Sequence, residues 1–355
     1  DRIGTNGTTT VNGGFLRVGL ESTLGYQAEL AGDGPVVVNA PGALEYNIDI
    51  DKTVYQTGAI SGDGAVYLMG DGMLVFDGPA ANTFSGGFEL GDGTNSSWDG
   101  ASGTKAGFVV VNRGDHLGTG KIRSRGAQLQ AGSPGVVIPN DIDIDAGGFR
   151  CGGVVDFELS GQINPVGNTV RGFGNYGLEG LDLTVSGNID LTNGNMNAEG
   201  SNGKNNGSWT FSGDISGGGN VAVNQGFDGG EVTFSGTNTY TGTTTLDAVS
   251  PATTVFYDAT HTGGGSYTVG SGATLAGSGS TTSVVTVNTG GKLAPGASTG
   301  ILTVGGLVIR GTLEIEIDGT AVPGVDFDQV VVDGNVDVAD RKSTRLNSSH
   351  RIRTR

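Results

Sequence analysis

A single cysteine in 355 residues, Cys151, excludes an intrachain disulfide and any zinc site built from several thiolates. Histidine is almost as scarce. Only three occur, and the two outside the extreme C-terminus, His116 and His261, stand in no metal-ligand spacing and beside no hydrolase motif. Each is expected in a turn or at the surface. No segment approaches the roughly 18 to 20 uninterrupted apolar residues of a membrane-spanning helix. Charged residues make up only 15% of the chain, well below the usual globular share, so one large conventionally packed domain is not the expectation.

What the chain has instead is glycine, 69 residues of it, together with Asn, Asp, Ser and Thr that supply tight turns. Val, Ile, Leu and Phe are spread in short runs, so many brief strands can each bury a little. The runs alternate. Alternation sends every second side chain inward, and Gly permits positive φ at the corners between strands. Stacked units of this kind pair each strand with its copies above and below and hide the sheet edges. The expected fold is all-β, a parallel β-helix with roughly 20 to 25 residues per coil.

An internal repeat supports stacking. Ile60-Ser61-Gly62-Asp63-Gly64-Ala65-Val66, then Gly72 to Gly78, then Asn82-Thr83-Phe84-Ser85-Gly86-Gly87, recurs in the same order later in the chain. The counterpart is Ile215-Ser216-Gly217-Gly218-Gly219-Asn220-Val221, then Gly230 to Gly236, then Asn238-Thr239-Tyr240-Thr241-Gly242-Thr243. Shorter echoes occur at Asp156 to Gly161, Leu183 to Ile189 and Trp209 to Ile215.

Three acidic alternations, Asn47 to Asp51, Asp141 to Asp145 and Glu314 to Asp318, place Ile inside and carboxylates outside at period two. Calcium is the competing reading. An EF-hand loop starting at Asp141 would need Glu at its twelfth position, where Gly152 stands, so solvated outer faces are expected. The Gly-rich stretches Gly62-Asp63-Gly64 and Gly217-Gly218-Gly219 lack the Lys-Ser/Thr ending and following helix of a phosphate loop. No cofactor is implied.

Two features are candidate ligand contacts. Lys121, Arg123 and Arg125 alternate in Lys121-Ile122-Arg123-Ser124-Arg125 and so share one strand face, a conspicuous basic cluster in an acidic chain. Bidentate Arg contacts suit a uronate or sulfated glycan, whereas a solvated face balancing nearby carboxylates is the alternative. Trp98 lies in a polar excursion between strands, residues 91–107, where an exposed indole could stack on a sugar. Trp209 alternates with Phe211 and is expected in the core.

The C-terminus differs from the rest. Asp340-Arg341-Lys342-Ser343-Thr344-Arg345-Leu346-Asn347-Ser348-Ser349-His350 resembles a one-frame translation of a sequencing adapter, so 340–355 is expected to be a non-native tail beside a 1–339 solenoid. The whole chain carries a formal charge of −17; without that tail 13 basic and 35 acidic side chains remain, a charge of −22. Nucleic acid is therefore not an expected partner.

The block Val232 to Leu246, then Gly272-Ala273-Thr274-Leu275-Ala276-Gly277-Ser278-Gly279, then Val285 to Val304 with Leu293-Ala294-Pro295-Gly296-Ala297-Ser298-Thr299-Gly300-Ile301-Leu302, resembles the autotransporter passenger-associated β-strand repeat family. The resemblance covers residues 230–305, with a looser copy near 60–90. It implies a right-handed parallel β-helix, exported and held at the cell surface or released, serving as a structural or adhesive stalk. On that resemblance the chain, which begins at Asp1 without an export signal, is a passenger fragment whose barrel or other anchor lies outside it. A host or environmental glycan or a surface protein is the expected partner, and the location extracellular or outer-membrane associated. The alternative is a β-helix polysaccharide lyase or glycoside hydrolase acting on acidic glycans, which pairs carboxylates with Lys or Arg on one exposed sheet.

Overall fold

The computed structural model describes residues 7–20, 27–28, 34–49, 52–91, 107–145, 148–166, 173–175, 181–200, 207–224, 231–247, 253–338 and 344–346. The chain divides into two compact units, Asp1–Leu181 and Asp182–Arg355. Each is a parallel β-helix.

In the first unit one ladder runs through Phe15–Leu20, Ala43–Ile48, Ala65–Gly70, Phe88–Leu90, Ile122–Ser124, Ile142–Ile144 and Ile163–Pro165, every pair parallel. A second runs through Thr53–Gln56, Met73–Phe76, Phe108–Val111, Gln128–Ala131, Phe149–Gly152 and Phe173–Asn175. Shorter pairings close the coil, Thr9–Val11 with Val36–Val38 and Ile60–Ser61, and Val136–Ile138 with Phe157–Leu159. Gln27–Ala28 adds an antiparallel edge to Phe15–Leu20.

The second unit repeats the plan. Leu183–Val185, Ser208–Phe211, Glu231–Phe234, Thr253–Tyr257, Ala273–Gly277, Lys292–Pro295, Thr312–Ile315 and Thr344–Leu346 form one parallel ladder. Met196–Gly200, Val221–Asn224, Thr244–Asp247 and Tyr267–Val269 form another, which continues into Ser280–Val287. Thr237–Asn238 and Thr260–His261 pair toward the start of that same long strand, whose register with Ile301–Ile309 shifts between Thr281 and Val284 as it rounds a corner.

Period-two alternation builds the interior. Leu44, Val66, Phe88, Ile122, Ile142 and Ile163 stack in register as a continuous inward column, all buried. In the second unit Trp209 stacks on Phe211, with ring centroids 5.5 Å apart, and Phe211 on Phe234 at 5.1 Å and 15° between planes. Offset stacking of this kind adds to the area each ring removes from water. Cys151 is a buried free thiol, its pKa pushed up by burial.

Coil length varies while the strand register is kept. The step is 22 residues from Ala43 to Ala65, 23 from Val232 to Val255, 18 from Leu275 to Leu293 and 34 from Phe88 to Ile122. Corners are held in two ways. At Gly62, φ is +102° and a Cβ would lie 2.0 Å from the Val38 carbonyl oxygen, so only glycine fits. Elsewhere an Asn or Asp side chain ties one coil to its neighbour by accepting a backbone N–H. Asp182 accepts from Ser208 at 2.7 Å, Asp214 from Thr237 at 2.7 Å, Asn220 from Thr243 at 2.8 Å and Asp258 from Ser278 at 2.8 Å. Inside the coil, Asn82 accepts from the Ile60 amide at 2.8 Å and Asn238 from the Ile215 amide at 3.0 Å, the same bond at matching places of the internal repeat.

Two expectations are corrected. His116 lies in a turn as expected, the 3-10 turn Gly114–Leu117, but is buried there, whereas His261 is neither in a turn nor at the surface and takes an inward strand position; each is 1% exposed. Both can be buried because a neutral imidazole finds a backbone carbonyl, Gly78 at 3.0 Å for His116 and Tyr240 at 2.8 Å for His261. The alternation at Asp141 to Asp145 buries Ile142 and Ile144, but that at Glu314 to Asp318 fails, with Ile317 43% exposed. Thr312–Ile315 is last but one in its ladder, where few side chains remain to cover an inward face.

Candidate functional site

The outer face of the first ladder in the first unit gathers charge and aromatic side chains in two columns. Because facing residues of neighbouring strands sit ~4.8 Å apart, in-register outward positions form a continuous file. One file is Arg17, Glu45, Tyr67, Glu89, Arg123 and Asp143. Beside it Phe15, Ala43 and Ala65 lead, by way of Gly87, to Lys121 and Asp141.

Lys121, Arg123 and Arg125 stand together on this face, Arg123 within the strand Ile122–Ser124 and the other two just beyond its ends, while Ile122 and Ser124 point inward. Each reaches diagonally to a carboxylate. Lys121 Nζ lies 3.3 Å from Asp143 Oδ1, Arg123 Nη2 is 2.6 Å from Asp145 Oδ2, and Arg125 Nη1 is 2.8 Å from Glu89 Oε1. Arg123 also donates through Nε to the same Asp145 oxygen at 3.1 Å, and this bond raises its pKa further above the ordinary guanidinium value. Arg17 Nε pairs with Glu45 Oε1 at 2.7 Å. Asp143 in turn accepts from Asn164 Nδ2 at 2.9 Å. With Asp141 alongside, the face has no surplus of positive charge to offer an anion.

An open depression of about 360 Å³ lies on this face, lined by Ala65, Tyr67, Gly87, Glu89, Lys121 and Arg123 among others. Gly87 has φ of +94°, and a Cβ there would come within 2.9 Å of the Lys121 carbonyl oxygen, so the floor stays bare. Tyr67, one of the lining residues, packs against the ring of Phe15, itself 68% exposed, with centroids 6.1 Å apart.

Trp98, with most of the 91–107 excursion, lies outside the described residues. Phe15, Tyr67, Glu89 and Asp145 escaped the sequence reading as site residues. Their signal was the 22-residue step that sets Glu45, Tyr67 and Glu89 in one file, visible only once the coil register is known. Among the described residues no group of three or more His, Cys, Asp or Glu is placed to hold a metal ion, and no helix is long and apolar enough to cross a membrane. Set beside known proteins, the chain matches no family model, no curated protein and no solved structure.

Proposed function

We propose that the chain is a structural and adhesive β-solenoid carried at a cell surface or released from it, a piece of an autotransporter-like passenger. The observation that carries this reading is the paired outer face. A glycan-cleaving β-helix needs a cation free to stabilise developing negative charge, whereas Lys121, Arg123 and Arg125 each already face a carboxylate. Such a face gives solubility and shallow contacts along its length. The parallel coils supply reach, and the passenger-like repeat at 230–305 supplies the link to export.

Reading the source DNA past the codon for Ala339 tests the proposal. An outer-membrane barrel or another surface anchor in the same frame is the expected result; an in-frame continuation into an intracellular enzyme domain would sink it.

A second reading, a lyase or glycosidase of acidic glycans, draws on Glu89 and Asp143 converging with Lys121 and Arg123 around one depression. Incubation of the chain with polygalacturonate and heparin separates the two readings. The adhesive one expects no new reducing ends and no unsaturated products.

A further inference from the structure

We propose that the depression beside Tyr67 is a subsite for a neutral hexopyranose oligosaccharide, an inference that rests on the adhesive reading and specifies its ligand. Its shape comes from residue size. In the file that runs from Phe15 to Lys121, Ala43 is buried and the next two positions, Ala65 and Gly87, line the depression, so two small residues in succession leave a trough where the neighbouring file carries long side chains. Its volume of about 360 Å³ falls at the small end of the roughly 300 to 1,000 Å³ typical of ligand sites.

Chemistry then selects the occupant. Tyr67 and the exposed Phe15 ring packed against it present apolar faces with one phenolic hydroxyl, the combination that covers the C–H face of a sugar ring while bonding its rim. Glu89, Lys121 and Arg123 surround the same trough with acceptors and donors. Their charges are already matched within the face, so a uronate or sulfate would bring an anion up to Glu89, Asp143 and Asp145 with no unpaired cation to receive it. Sugar hydroxyls have no such difficulty. They can bridge a paired carboxylate and ammonium without breaking the pair, since each carboxylate oxygen has spare lone pairs and each cation spare N–H groups. Residues ~4.8 Å apart along each file further favour an extended chain lying across the strands.

Binding of the full chain to cellohexaose, mannohexaose and hexagalacturonate, measured by calorimetry, tests this. The expected result is binding of at least one neutral hexamer and at least tenfold weaker binding of hexagalacturonate. Phe15→Ala and Tyr67→Ala should each weaken the neutral ligand at least fivefold. Ala65→Gln, which fills the trough from an outward position, should abolish binding while leaving the melting temperature within a few degrees. Preference for hexagalacturonate, absence of binding to both neutral hexamers, or binding indifferent to all three substitutions overturns the inference. Retained attachment of the wild-type chain to whole cells in any of these cases leaves the adhesive reading standing, so the two failures are distinguishable.

Discussion

His261 is held inside the second unit as one tautomer. Its Nε2–H donates to the Tyr240 carbonyl at 2.8 Å, which leaves Nδ1 to accept from the Tyr267 hydroxyl at 2.9 Å, and Tyr267 lies 3.2 Å from the Tyr240 hydroxyl, itself bonded to Thr244. A proton on Nδ1 would oppose that chain of donors. Burial lowers the pKa of His261, and of His116, below the ordinary imidazole value. The unfolded chain therefore binds more protons than the folded one just below about pH 6.5, and stability present above that pH is lost as pH falls through the lowered values. Thermal melts should be flat from neutrality down to about pH 6.5 and decline below it. The variant His261→Phe should be less stable at neutral pH by about 1 to 3 kcal/mol, because Tyr267 and the Tyr240 carbonyl lose a partner, and its acid decline should be shallower. Phe234→Ala removes a ring from the middle of the aromatic stack and should cost about 3 to 5 kcal/mol in a denaturant titration. The inward side of Trp209 and Phe211 was legible in their alternation. That of His261 was not, because the groups that accommodate it arrive from positions 240, 267 and 281, on three different strands or corners.

At the scale of the strand, alternation and turn residues were enough to foresee a parallel β-helix. The work done by the polar corners was not foreseeable. Asn and Asp read in sequence only as turn formers, yet in the structure Asp182, Asp214, Asn220 and Asp258 each clamp an amide of a neighbouring coil. The partner is 20 to 26 residues away, too far for local pattern to reveal. Asn82 goes further, accepting from Ile60 and donating to the His116 carbonyl at 2.6 Å, so it joins three successive segments in the interior. Asn238 also donates, but to the Tyr257 hydroxyl at a long 3.4 Å, so Asn82→Ala should cost more than Asn238→Ala, within about 1 to 3 kcal/mol for each bond left unmade. Amide hydrogen exchange supplies the local check: the Ile60 and Ile215 amides should lose protection in the respective variants. The same distance explains why the basic cluster was visible and its partners were not. Lys121, Arg123 and Arg125 are contiguous, while Glu89 and Asp145 come from the coils on either side.

Across the whole molecule the lone Cys151 allows no intrachain disulfide, and stacked backbone bonds with inward apolar columns hold the coils together. Treatment with EDTA should leave the melting temperature unchanged; a fall of several degrees would show a cation holding coils together. The net charge of −17 keeps chains apart in solution, and exposed strand edges are the places where association would begin. The uneven coil length has its own consequence. An 18-residue turn from Leu275 to Leu293 and a 34-residue turn from Phe88 to Ile122 return the chain to the same inward register. Length between rungs is thus uncoupled from the spacing of the rungs, and a whole excursion can be lengthened, shortened or exchanged for an unrelated peptide without re-indexing the columns above and below it. A lineage of such chains can diversify what it presents to the outside while its interior stands still, and an engineer splicing an epitope between Leu90 and Phe108 would be using the same freedom.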